Sequence, residues 1–90
     1  MDFQWDVDKA RNNRKKHGVE FADAVAVFED EMALNIEDPD AVGERRFVTV
    51  GRDTTGQLLT VVYTLRGREI RIIPARPATR QERKDYEEEI

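Results

Sequence analysis

The chain has 90 residues, no cysteine and a formal net charge of −4, and this length predicts a single domain over residues 1–90 with one modest core. Without cysteine neither a disulfide nor thiolate chemistry is available, and the one histidine, His17, cannot build a histidine metal site alone. The apolar runs are far shorter than the roughly 20 residues needed to cross a membrane, and no signal-peptide pattern opens the chain, so we expect a cytoplasmic protein.

The first part of the chain predicts a strand followed by two helices. Phe3 and Trp5 alternate with polar residues, which is typical of a short strand. Asp6 can cap a helix over residues 7–17, whose second half is strongly basic. A second helix is expected over residues 21–29, because apolar residues recur there at three- and four-residue spacing.

The remainder predicts a β-meander and a final helix. Strands are expected over residues 33–36, 47–50, 58–65 and 69–75. Thr79 and Glu82 form the capping box of a C-terminal helix that runs to about Glu88. The order predicts a small α+β domain, in which helices pack on one face of an antiparallel sheet, two of them N-terminal and one C-terminal.

Basic residues are clustered although the net charge is negative. Residues 18–44 contain nine acids and no Lys or Arg, whereas residues 9–17 contain five Lys and Arg and no acid. Residues 66–84 contain seven bases and two acids. A phosphate group responds to the local potential, so this distribution is compatible with a nucleic-acid ligand. The alternative is an ordinary mixed surface.

Three arginines on the last two strands, Arg66, Arg71 and Arg76, are the best candidates for a functional site. A guanidinium stays charged and needs anionic partners, so a group of them on a sheet indicates a cradle for phosphate. In the alternative, Arg71 pairs with Glu69 or with an acid of the second helix on an exposed surface. The sequence has no glycine-rich phosphate loop, no nucleophile elbow and no spacing that singles out a pair of carboxylates.

The end of the first helix carries a second candidate group, Lys15, Lys16 and His17. Histidine can exchange a proton near neutral pH, which suits a general acid or base, or a phosphate contact. The alternatives are a helix-terminal hydrogen bond for the histidine and plain solvation for the two lysines.

Ordered motifs extend over residues 3–86. They are Phe3-x-Trp5-Asp6-x-x-Lys9-x-x-x-Asn13-x-x-Lys16-His17-Gly18-Val19-x-Phe21-x-x-Ala24, then Arg46-Phe47-Val48-Thr49-Val50-Gly51, then Val61-Val62-Tyr63-Thr64-x-Arg66, then Arg71-Ile72-Ile73-x-Ala75-Arg76-x-Ala78, and then Glu82-Arg83-x-x-Tyr86. This set resembles the BrnT toxins of bacterial type II toxin–antitoxin systems. The resemblance implies a RelE-like fold and an endoribonuclease that cleaves RNA without a metal or cofactor and stops translation. It also implies neutralisation by a BrnA-type antitoxin protein.

For such a reaction we expect the catalytic residues to be Arg66, Arg76 and His17, with RNA bound by Lys15, Lys16, Arg46 and Arg71. The chain departs from the family pattern at two positions. Pro74 stands where a serine is expected, and Arg45 stands where an acid commonly precedes the next arginine. Glu44 is the acid that can take its place.

Two other functions agree with the same residues. The first is a non-catalytic α+β module whose basic patch binds nucleic acid or a partner, because binding and cleaving phosphate require the same arginines. In the second, the basic helix serves only as a partner surface. If an antitoxin exists, its Lys and Arg side chains can dock on Glu29-Asp30-Glu31 or on the acidic tail Asp85 to Glu89, although such runs also serve as solubilising surface.

Overall fold

The computed structural model describes residues 2–88, and in this part of the chain a five-stranded sheet is packed with three α-helices. The elements are β1 (Asp2–Gln4), α1 (Val7–His17), α2 (Phe21–Ala24), β2 (Leu34–Glu37), β3 (Phe47–Arg52), β4 (Leu58–Arg66), β5 (Glu69–Pro77) and α3 (Arg80–Glu88). Glu89, the end of the predicted acidic tail, lies outside the described residues. No helix within residues 2–88 has the length and apolar character needed to cross a membrane.

The first helix begins and ends where the sequence predicts. The Asp6 carboxylate accepts hydrogen bonds from the backbone N–H groups of Asp8 and Lys9, at 2.8 and 3.1 Å. Gly18 follows the helix in the left-handed conformation, with φ 71°, and its N–H donates to the Arg14 carbonyl. Glycine adopts this conformation without steric strain, which is why it ends helices so often.

The second helix is shorter than predicted. Instead of one α-helix over residues 21–29, α2 covers four residues and continues as a 3₁₀ helix, Val25–Glu29. The 3₁₀ turn brings Val27 against β3 at Gly51, where an added Cβ would lie 2.9 Å from the Val27 Cγ1 atom. β-Branched residues lower the preference for a regular α-helix, and tight packing on the glycine fixes the alternative.

The sheet has the order β1-β5-β4-β3-β2, so the predicted antiparallel meander of β2 to β5 is confirmed. The sequence analysis missed that β1 pairs in parallel with β5, with Phe3 opposite Ile70, which makes the sheet mixed. The two strands lie far apart in sequence, so neither periodicity nor a turn signal connects them.

Consecutive residues of β4 enter two separate apolar clusters, because side chains alternate across a strand. Leu59 packs in the larger cluster with Phe21 of α2, whereas Leu58 packs with Tyr86 of α3. The expectation that all helices share one face is therefore wrong for α3. We call the two sides of the sheet the α1 face and the α3 face. The capping box of α3 is confirmed by reciprocal hydrogen bonds between Thr79 and Glu82.

A β-bulge in β5 decides where its arginines point. Val61 pairs with Ala75 and Tyr63 with Ile72, so β5 has one residue more than β4 in this interval. Pro74 lies in the bulge, where a residue without an N–H is tolerated. The strand was predicted to end at residue 75, but it continues past the bulge to residue 77.

Arg71 and Arg76 lie an odd number of residues apart and would face opposite sides of a regular strand. Arg71 pairs with Thr64, and Arg76 pairs with Thr60. Because the two threonines are four residues apart on β4, they share a face. The bulge therefore brings both arginines to the α3 face.

Candidate active site

A concave, strongly basic pocket of about 210 Å³ lies where the α3 face meets α1. We call it the basic pocket, and it is lined by Lys9, Val42, Glu44, Arg46, Thr64, Arg66, Arg71 and Ile73. Four bases face one acid in this lining, so the local charge is positive although the protein is acidic as a whole. Such a potential favours an anionic ligand.

Four separate elements supply the basic side chains. Arg66 comes from the end of β4, Arg71 from β5, and Arg46 from the residue before β3. Lys9 comes from α1, which is held against β5 by the buried side chain of Asn13. Convergence of distant elements on one concavity is typical of a binding site rather than of a solvated charge run.

Asn13 acts as an extra partner at the edge of β5, beyond the three residues of β1. Its amide nitrogen donates to the carbonyl of Ala75 at 2.8 Å, and its oxygen accepts from the N–H of the same residue at 3.1 Å. The amide nitrogen also donates to the Val19 carbonyl at 3.0 Å. Three buried backbone groups are thereby satisfied, which fixes α1 and Lys9 relative to the sheet.

Arg66 is held by Glu44. The Arg66 guanidinium donates two hydrogen bonds to the Glu44 carboxylate, at 3.0 and 3.3 Å. These hydrogen bonds lower the pKa of Glu44 from its ordinary value of 4.5, so the carboxyl is ionised at neutral pH. Both side chains are about half exposed, and ion pairs of this kind are weak and easily exchanged. The guanidinium is thus oriented and yet available to a stronger anion.

Arg71 has no carboxylate partner within residues 2–88 and donates to the side-chain oxygen of Gln4 at 2.8 Å. Gln4 in turn donates to Glu69. A direct ion pair of Arg71 with Glu69, or with an acid of the second helix, was the alternative left open by the sequence, and it is not formed. The Arg71 charge is therefore available at the basic pocket.

Thr64 supplies a buried polar atom at the floor of the basic pocket. Its hydroxyl is buried and faces Glu44, but within the described residues it makes no hydrogen bond of normal geometry. A buried hydroxyl without a partner costs about 1–3 kcal/mol. The Arg66 guanidinium, and to a lesser extent this hydroxyl, lower the pKa of the Glu44 carboxyl, so Thr64 adds a contact that orients Glu44.

Arg76 lies outside the basic pocket, further along β5. Its guanidinium makes a two-fold hydrogen-bonded ion pair with Glu82 of α3, at 2.7 and 3.0 Å. Glu82 also accepts from the Thr60 hydroxyl and from the N–H of Thr79. The Arg76 guanidinium, followed by these two bonds, lowers the pKa of Glu82 to about 2. This cluster ties α3 to the sheet.

His17 and Lys16 line a shallow concavity of about 200 Å³ beside the basic pocket. The two concavities adjoin, because Lys9 and Ile73 line both. Lys15 is exposed on α1 and lines neither. The structure thus groups Arg46, Arg66 and Arg71 in one pocket and places His17 and Lys16 next to it, while Lys15 and Arg76 lie elsewhere.

Lys9 is the site residue that the sequence analysis did not single out. Lys9, Asn13 and Lys16 are separated by four and three residues, a spacing that puts them on one side of α1. The buried asparagine marks that side as the one facing the sheet. Asn13, a polar residue at a core-facing helix position, is the signal that would have identified Lys9 on the same side of α1.

These features define a small α+β protein with a basic pocket on the α3 face of its sheet. The chain belongs to the BrnT family: residues 5–82 match the family described as "Ribonuclease toxin, BrnT, of type II toxin-antitoxin system". The resemblance inferred from the ordered motifs is thereby confirmed.

The fold is similar to the crystal structure of the Brucella abortus ribonuclease toxin BrnT, with a TM-score of 0.67. The two chains are 23% identical, and the match covers 89% of this chain and 99% of that one. At this identity the likeness shows the fold alone, and it confirms the predicted α+β class. No curated protein sequence matches this chain.

Proposed function

We propose that this chain is the toxin of a type II toxin–antitoxin pair and acts as an endoribonuclease that cleaves RNA without a metal ion. Membership of a family of ribonuclease toxins supports the reaction class. The basic pocket carries the site assignment, because Lys9, Arg46, Arg66 and Arg71 converge there around one acid. All ninety residues form one toxin domain in this proposal.

RNA carries its own nucleophile, so the protein need not supply one. The 2′-oxygen attacks the adjacent phosphorus and the bond to the 5′-oxygen breaks, which gives a 2′,3′-cyclic phosphate and a 5′-hydroxyl. A base takes the 2′-hydroxyl proton, and an acid gives a proton to the leaving oxygen. Negative charge grows on the phosphate oxygens in between, where positioned guanidiniums act most strongly.

Arg66 and Arg71 are the cations that we assign to the reacting phosphate. Arg66 is preoriented by Glu44, and Arg71 makes no direct ion pair with a carboxylate among residues 2–88. Arg46 and Lys9, on the rim of the same pocket, bind the flanking backbone. Phosphate displaces the exposed Glu44 carboxylate from Arg66, because two phosphate oxygens can take over the two hydrogen bonds.

His17 and Lys16 serve proton transfer and phosphate contact from the adjoining concavity. Glu44 is a weak candidate for the base, since its lowered pKa reduces its affinity for a proton. Lys15 contributes to the potential that attracts RNA. Arg76 was assigned to catalysis from the sequence, and its guanidinium also holds α3 through Glu82. A comparison of Arg76→Ala with Glu82→Gln separates the catalytic role from the structural one.

The remaining parts of the proposal are the consequences in the cell. RNA cleavage in the cytoplasm stops translation, and a BrnA-type antitoxin protein neutralises the toxin. The family description supports an antitoxin partner in general terms. The competing function is a non-catalytic module that uses the basic pocket to bind nucleic acid, and it differs from a nuclease only in leaving the RNA intact.

The test is growth after induction of the chain without its antitoxin, for wild type and Arg66→Ala side by side. Arg83→Ala is a suitable control, because Arg83 lies on α3 and its one ion pair within residues 2–88 is a 4.0 Å contact with Glu87. We expect wild type and the control to arrest growth with shortened RNA, and Arg66→Ala to grow. Growth arrest by Arg66→Ala equal to wild type would remove Arg66 from the site. No arrest by folded wild-type protein would favour the binding module.

A further inference from the structure

The two edges of the sheet differ. At one edge β1 covers the first residues of β5, and the Asn13 side chain takes the N–H and C=O of Ala75 beyond it. At the other edge β2 pairs with β3 on one side only, and no described residue pairs with its other side. Proteins usually protect such an edge with lysine, proline, a bulge or a covering element. β2, with the sequence Leu-Asn-Ile-Glu, is short and ends in one acid, but it has no lysine, proline or bulge, and no described strand pairs with its outer side.

The free backbone groups of β2 can be assigned. Asp38 donates its N–H to the Arg46 carbonyl at 2.8 Å, immediately after the strand. Backbone groups alternate in direction along an antiparallel strand, so the N–H and C=O of Asn35 and Glu37 point outward. The side chains of the same two residues are already used within the molecule, since Asn35 accepts from Tyr63 and Glu37 from Arg45.

The side chains on the α3 face of β2 are apolar and lie in a groove. We call it the edge groove, and it is lined by Leu34, Ile36, Val48, Val50, Glu82 and Asp85. Its volume is about 160 Å³, with α3 as the second wall, and Ile36 is 64% exposed. An apolar groove beside a bare strand edge is the geometry that receives an added β-strand, with alternate side chains in the groove.

The charge around the edge groove defines the partner. Residues 18–44, which include β2, contain nine acids and no Lys or Arg. Asp85 faces the groove, and its only hydrogen-bond partner among the described side chains is Gln81, an uncharged residue. Glu37 is paired with Arg45 and Glu82 with Arg76, which leaves Asp85 as the groove acid without an ion pair among the described residues. Its charge disfavours a second copy of this edge and disfavours RNA. A strand that carries Lys or Arg beside its apolar residues would be attracted.

We propose that β2 binds an extended, basic segment of the antitoxin, which adds a strand to the sheet and places its apolar residues in the edge groove. The proposal rests on the toxin–antitoxin function proposed above. It also gives a route to inhibition. A segment that continues past Glu37 reaches the stretch that carries Glu44 and Arg46, and there it covers one side of the basic pocket.

The experiment measures binding of the protein encoded beside this chain, taken as the antitoxin, to toxin made harmless by Arg66→Ala. Glu37→Pro removes an outward N–H without removing a bond between β2 and β3, and Glu37→Ala is its control for the lost side chain.

Asp85→Arg reverses the groove charge, and Asp23→Arg makes the same charge change on α2. We expect the proline and Asp85→Arg to weaken binding at least tenfold, and both controls to stay within about twofold. Chemical denaturation verifies that each variant is folded.

Hydrogen exchange supplies a second measurement that does not depend on a variant. We expect the amides of Asn35 and Glu37 to become protected when the antitoxin binds. A complex that forms equally well with Glu37→Pro and Asp85→Arg, without protection of β2, overturns the docking site and leaves the toxin function intact. If the toxin with an unchanged β2 surface forms no complex at all, both the docking site and the toxin–antitoxin function are overturned. Self-association of the toxin that Glu37→Pro abolishes, with antitoxin binding unchanged, would mean that a second copy occupies the edge.

Discussion

Glu44 lies against Arg66 and accepts two hydrogen bonds from its guanidinium, at 3.0 and 3.3 Å. The pair stands at the mouth of a pocket in which every other charged side chain is basic. Under the proposed function, the carboxylate occupies the position that a phosphate of the substrate takes. It keeps Arg66 oriented in this structure, and under the proposed function it is displaced when RNA binds, because an exposed pair of this kind is held only weakly.

Replacing Glu44 by glutamine should tighten the binding of a non-cleavable oligonucleotide severalfold. The glutamine keeps the size of the side chain but removes the negative charge that competes with phosphate for Arg66. The measurement is a titration of the variant and wild type with a 2′-deoxy oligonucleotide at constant salt. Unchanged or weaker binding by Glu44→Gln would mean that the carboxylate does not stand in for phosphate.

Lys9→Gln should weaken RNA binding and lower its dependence on salt. A lysine that contacts one phosphate contributes about one unit to the slope of log K against log salt. Lys84→Gln is the matched control, because Lys84 lies on α3 and, in the described part of the chain, pairs with Glu88 alone, at 3.9 Å. Equal salt slopes for the two variants would remove Lys9 from the interface.

Glu82→Gln should destabilise the protein by about 1–2 kcal/mol at neutral pH, because a charged hydrogen-bond acceptor is lost. The pKa of Glu82 is about 2 in the folded protein against an ordinary 4.5, so the folded state holds this proton more weakly than the unfolded chain does. The stabilisation is therefore complete above about pH 4.5 and is lost as the pH falls towards 2.

Urea denaturation at several pH values measures this effect. Wild type should lose more stability than Glu82→Gln between pH 4.5 and 2, whereas Glu87→Gln, on an exposed part of α3, should follow wild type. Parallel pH curves for wild type and Glu82→Gln would contradict a stabilising role for the Arg76–Glu82 pair. If Glu82→Gln retains RNA cleavage and Arg76→Ala does not, Arg76 acts on RNA as well as on α3.

Asn13→Ala should cost about 2–3 kcal/mol of stability. The alanine leaves the N–H and C=O of Ala75 and the carbonyl of Val19 without partners in a buried place. Asn12→Ala, one position earlier on the exposed side of α1, is the control. Thermal or urea denaturation decides the matter, and equal stability of the two variants would show that water replaces the Asn13 amide at no cost.

Much of the fold follows from local signals in the sequence. Asp6 and the capping box of Thr79 and Glu82 fix the starts of two helices, because their side chains bond backbone groups a few residues away. Strands β2 to β5 follow from alternation and turn residues. The parallel pairing of β1 could not be predicted, since it joins residues 2–4 to 69–71 without a local signal.

The arrangement of the candidate site residues was predicted in part, and the bulge in β5 explains why the position of Arg76 was not. The grouping of Arg66 with Arg71 follows from hairpin pairing through the Gly67 turn. The position of Arg76 does not follow, because an extra residue at Pro74 changes which face it occupies and lets it meet α3. Lys9 joins the pocket only through the tertiary contact that Asn13 makes with β5.

The most direct test of the proposed function is cleavage of RNA by purified protein in the presence of a chelator, with wild type and Arg66→Ala compared. We expect wild type to produce fragments that end in a 2′,3′-cyclic phosphate, and a substrate with 2′-deoxy nucleotides to remain intact. Arg66→Ala should be slower by roughly 10²–10³-fold, as is typical when one positioned electrostatic group is removed. Intact RNA after incubation with folded wild-type protein, or equal cleavage by Arg66→Ala, would contradict the assignment of this pocket as a metal-independent ribonuclease site.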